Sequence, residues 1–96
     1  MDRVEVLLYG QDRNERLAML RTQRNLLFTL HAEITAGRRH LGMLDPSEAW
    51  SSRSQREYSF RVAEMLADLD VVLHYLDDAL ASVRRHIHEE ERMCLA

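Results

Sequence analysis

The chain has no lysine, one cysteine, one proline, three glycines and one tryptophan in its 96 residues. Each scarcity excludes something. With Cys94 alone, no intrachain disulfide can form, so a domain this small must find its stability in burial. A free thiol near the C-terminus is the reading for that cysteine. Gly10, Gly37 and Gly42 are too few and too scattered to build a phosphate-binding loop. The Ser, His and Asp residues follow no local pattern that would organise a hydrolytic triad. No apolar run is long enough to span a membrane. Val4 to Tyr9 is apolar, but it is short and interrupted by Glu5, and Asp2 precedes it, so it does not read as a signal peptide. The expectation is a protein made in the cytoplasm that, if secreted, leaves without a cleaved signal.

All thirteen basic residues are arginine. Arginine codons are GC-rich and lysine codons are not, which points to a GC-rich, actinobacterial kind of genome. The net charge of −3 does not favour nucleic acid. It is unevenly spread: residues 1–44 carry seven Arg against five acids, and residues 45–96 carry six Arg against eleven acids. A mildly basic half facing an acidic half suits antiparallel helices, although two solvated faces would look the same.

What is present is helical periodicity. Residues 1–10 alternate briefly at Val4, Val6 and Leu8; a lone strand has nothing to pair with, so a flexible arm or a short helical turn is expected. Asp12-Arg13-Asn14-Glu15 has the form of a capping box and predicts a first helix over about 12–41. Leu20, Leu27, Ile34 and Leu41 recur every seven residues, with Leu17 and Leu30 beside them. Gly37 weakens this helix by about 1 kcal/mol relative to alanine. Arg38, Arg39 and His40 suit its C-terminal end, and Gly42 is a candidate cap.

A turn containing Trp50 follows. Asp45-Pro46-Ser47-Glu48 and Ser54-Gln55-Arg56-Glu57 are both helix-start patterns. The first predicts a short turn helix and the second the start of helix two, over about 54–88; one continuous helix from Pro46 is the competing reading. Val62, Leu66, Leu69, Leu73, Leu76, Leu80, Val83 and Ile87 alternate steps of four and three, the seam of a coiled coil. Tyr58, Met65, Val72 and Ala79 form a second line beside it. One neighbouring helix covers a seam; a flanking line asks for another neighbour, or is ordinary core within the hairpin. The expected partner interface is therefore Tyr58, Val62, Met65, Leu66, Leu69, Val72, Leu73, Leu76, Leu80 and Val83. The fold expectation is all-α: an antiparallel helical hairpin, residues 11–88, pairing into a four-helix bundle. Glu89, Glu90 and Glu91 oppose the helix dipole, so a frayed tail is expected over 89–96.

Metal, cofactor and catalytic sites are not expected. His86 and His88 lie two residues apart and diverge on a helix, and His74 is three turns away. Asp68, Asp70, Asp77 and Asp78 flank the seam where coiled coils place partner-selecting charges.

A lone Trp in the turn between two amphipathic helices, followed by an aromatic and a long Leu/Ala-rich helix, resembles the WXG100 (Esx-like) family of type VII secretion. Trp50-Ser51-Ser52-Arg53-Ser54-Gln55-Arg56-Glu57-Tyr58-Ser59-Phe60 carries the resemblance, with Ser52 where the family has glycine. The family's C-terminal export pattern, Y-x-x-x-D/E, is not met: Tyr58 is followed four residues on by Val62, and Tyr75 by Ala79. The resemblance implies a non-enzymatic protein that pairs with itself or a related hairpin, either secreted or escorting a larger toxin-like substrate. Two other classes compete. The stretch from Leu20-Arg21 to Arg39 resembles the first helix of small helical chorismate mutases, which bind dicarboxylates with Arg and usually Lys; this chain has no Lys. A regulatory, antitoxin-like helical protein would need a basic recognition helix, and none is evident.

Overall fold

A computed structural model describes the backbone of residues 3–44 and 52–95 and the side chains of residues 12–44 and 52–93. The described residues form two long helices that pack against each other, with no strand among them: α1, Arg3–Met43, and α2, Arg53–Leu95. The expectation of a helical hairpin is met at this level. None of these helices is long and apolar enough to cross a membrane.

Both helices are longer than the sequence pattern indicates. α1 includes Gly10 and passes through Asp12 without starting there. At its other end Gly42 keeps a helical φ, because no glycine here has positive φ. The final turn closes instead by the Leu44 N–H donating to the Leu41 carbonyl at 3.1 Å.

α2 starts at the earlier of two overlapping capping patterns. The Gln55 N–H donates to Ser52 Oγ at 3.2 Å, and the Ser52 N–H donates to Gln55 Oε1 at 3.2 Å. Two amides that lack helical partners are thus satisfied reciprocally. The Ser54 box is overtaken by this one, because a cap two residues earlier adds a further half-turn of helix. Trp50 and the Asp45–Glu48 pattern lie outside the described residues.

The chain divides into two units. The first joins residues 1–28 with 78–96. Its core is Leu17, Leu80 and Ile87, all buried. The second comprises residues 29–77. Its core centres on Val62, only 2% exposed, with Ile34, Leu41, Leu66, Leu69, Leu73 and Leu76 half-buried around it.

In the first unit α2 runs well past His88, the point where the three acids predict fraying. Arginines of α1 account for this. Arg13 Nε and Arg16 Nε lie 3.7 and 3.6 Å from the Glu90 carboxylate, and Arg21 donates to Glu91 at 3.1 Å. Arg13 also donates to the Met93 carbonyl at 3.3 Å. Cations from a neighbouring helix offset the repulsion between acids and the negative helix end.

Candidate interaction face

The helices present two kinds of flank. On α1, the half-buried and buried positions include Leu17, Leu20, Arg24, Leu27, His31, Ile34, Arg38 and Leu41, with Arg13 and Thr35 besides. The first eight form a continuous seam in steps of three and four. Every second member from Arg24 onward is basic: Arg24, His31 and Arg38 recur every seven residues. An apolar pattern search finds only the leucine half. The signal for the other half is the matching seven-residue repeat of Asp70 and Asp77 on α2.

In the second unit these repeats meet. Arg38 forms a bidentate pair with Asp70, its second bond, Nη2 to Oδ2, measuring 3.0 Å. His31 Nε2 lies 2.8 Å from Asp77 Oδ1. The Thr35 hydroxyl donates to the His31 carbonyl at 2.8 Å and sits beside the ring. As numbering rises from 31 to 38 on α1 it falls from 77 to 70 on α2, so the two helix segments of this unit are antiparallel. The guanidinium hydrogen bonds hold the Asp70 carboxyl below its ordinary value of 3.8 and raise Arg38 above its own; Coulomb attraction adds to both, and desolvation opposes it. Asp70 and Asp77 each directly follow a seam residue, Leu69 and Leu76. This flank of the seam is closed by charge.

The other flank, made of residues that directly precede seam residues, is apolar and open. Tyr58, Met65 and Val72 are all exposed, Met65 by 51%. On α1 the corresponding line is Leu30, Gly37 and Leu44. Leu30 and Leu44 are exposed, and Leu44 and Tyr58 line one open groove with Ser54 and Gln55. Within the first unit, a groove lies between Met19, Leu20 and Gln23 of α1 and His86 and Glu90 of α2. Ala79 and Val83 there are half-buried.

The residues expected at a partner interface thus occupy two settings. Val62 and Leu80 are buried, and Leu66, Leu69, Leu73, Leu76 and Val83 are half-buried in their own units. Tyr58, Met65 and Val72 face outward. Ser52 is the cap of α2. Among the described residues, no group of three His, Cys, Asp or Glu side chains is placed to hold a metal ion. His86 Nδ1 donates to the Ser82 carbonyl at 2.8 Å, one turn back on its own helix.

Comparison with family models, with curated proteins and with solved structures gives no significant match.

Proposed function

We propose that this chain is a non-enzymatic helical interaction protein that completes its core by pairing with another helical hairpin as a four-helix bundle. The reading rests on one observation: beside a seam already used within the hairpin, Tyr58, Met65 and Val72 form an exposed apolar line. Large apolar side chains in a contiguous exposed line mark an interaction surface more often than a plain solvent face.

The biological setting we propose is type VII secretion, on the resemblance of residues 50–60 to the WXG100 turn. The chain would serve there as a dimeric secreted factor or as a chaperone that targets a larger toxin-like substrate. Ser52 is compatible with that turn: a serine N-cap starts α2 without needing the left-handed backbone that glycine permits. A cytoplasmic start followed by export in company with a partner fits the missing Y-x-x-x-D/E pattern. The test is deletion of the gene and comparison of the proteins in the culture medium. Loss of a neighbour-encoded helical substrate from the medium, restored by complementation, supports the proposal. An unchanged set of exported proteins overturns it.

A further inference from the structure

We propose that Arg24 and Arg84 form a carboxylate-binding cleft on the first unit, and that its occupant is an acidic segment of a partner protein. The proposal goes beyond the apolar line of Tyr58, Met65 and Val72 and rests on different residues.

The bases of the α1 seam recur every seven residues through Arg38, His31 and Arg24. The acids of α2 do not keep pace with them. Asp70 and Asp77 are followed seven residues on by Arg84, and an acid returns only at the next step, Glu91. Glu91 is already taken by Arg21. Within the first unit the register brings Arg84 close to Arg24. Arg16 meets Glu90, and Leu20 shares a groove with His86. Four residues further along α1 and four back along α2 set Arg24 level with Ser82. Arg84 is two residues from there, about 3 Å along the axis. It directly follows the seam residue Val83, as Asp77 follows Leu76, so it lies on the flank where the acids of the repeat lie.

Neither arginine has an acid three or four residues away on its own helix, the positions that could neutralise it locally. Among the described residues neither forms an ion pair, and the side-chain hydrogen bond of Arg24 is a long one, 3.4 Å from Nε to Oδ1 of the adjoining Asn25. Arg24 is nevertheless half-buried. Two guanidinium groups on facing helices repel, and partial burial of one of them strengthens the repulsion. A carboxylate from outside relieves it, since its two oxygens can take one guanidinium each in charge-assisted hydrogen bonds. Phe28 lies one turn further along the same side of α1 and is 60% exposed. It gives an apolar side chain beside that carboxylate a surface to sit on. The complementary partner is therefore a helix that carries Glu and Leu one turn apart.

The test uses the full chain and a fluorescein-labelled helical peptide with a Glu–Leu repeat, followed by anisotropy. A Gln–Leu peptide of the same length is the uncharged control. The parent is expected to bind the Glu peptide about tenfold more tightly than the Gln peptide. Arg84→Glu closes the cleft from within. It weakens binding of the Glu peptide about tenfold and raises the midpoint of urea unfolding, because Arg24 gains an internal partner. Arg85→Glu makes the same change of charge on the outward side of α2 and leaves binding within about twofold. Phe28→Ala weakens binding several-fold. Equal affinity for the two peptides, equal effects of Arg84→Glu and Arg85→Glu on binding, or an Arg84→Glu chain that unfolds at lower urea than the parent overturns the proposal. Each of those outcomes leaves the line of Tyr58, Met65 and Val72 untouched, since its residues belong to the second unit.

Discussion

Leu80→Ala is the most direct probe of how thin the core is. Leu80 is 6% exposed and is one of only four buried apolar residues among those described, with Leu17, Val62 and Ile87. The substitution removes three buried carbons at about 0.8 kcal/mol each, or about 2.4 kcal/mol. A cavity penalty adds to this in a rigid core. A seam between two helices opens toward solvent and relaxes, so the expected loss is about 2.5 to 3 kcal/mol, near the low end of buried leucine truncations. The control is Val71→Ala. Val71 is 53% exposed, and alanine is the better helix former, so this change is expected to be neutral or to gain a few tenths of a kcal/mol. Urea unfolding followed by far-UV circular dichroism, at several protein concentrations, measures both. The concentration series separates the hairpin's own stability from any contribution of association. A Leu80→Ala loss below about 1 kcal/mol would refute the assignment of the core to this seam.

Three further outcomes are expected. Ser52→Ala should lower stability by about 1 kcal/mol and Ser52→Gly by only a few tenths, read as melting temperatures; equal effects would argue against the capping box. Arg13 and Glu90 are partly exposed, at 34% and 21%, and each has a second contact, Arg13 to the Met93 carbonyl and Glu90 to Arg16, so each leucine replacement should destabilise the end of α2 and the double replacement should cost less than the two singles summed, as a double-mutant cycle in urea would measure. The Asp70 carboxyl titrates below its ordinary 3.8, so the unfolded chain binds that proton first as pH falls. Its contribution is complete above 3.8 and disappears as pH drops through the lower folded value. The stability difference between the wild type and Asp70→Asn should therefore shrink on acidification below pH 4, and a difference that grows there would reverse the assigned sign.

The seam of α2 was legible because its side chains are nearly all apolar and the spacing is regular. Three positions of the α1 seam were not, because Arg24, His31 and Arg38 stand where a hydrophobicity scan expects leucine. Their partners, Asp70 and Asp77, are far away in sequence, and only the shared seven-residue repeat links them. The ends of both helices were misplaced for a related reason. Local rules stop α2 at its acidic run, but Arg13, Arg16 and Arg21 neutralise that run from another helix. The start of α2 was expected at the Ser54 box, and its cap lies two residues earlier because Ser52 and Gln55 close a reciprocal pair of hydrogen bonds of their own. The open flank could be foreseen as a second apolar line, though not that the hairpin itself would leave most of the first line only half-buried.

The ion pairs on one flank also limit valence. A helix pair that was sticky on both sides would add copies without end, since each new member would bring a fresh adhesive edge. Arg38 with Asp70 and His31 with Asp77 take one edge of the second unit out of that risk. Phe60, Val71 and Tyr75 stay exposed elsewhere on it, so the two contacts lower the number of adhesive edges by one and leave the others in place.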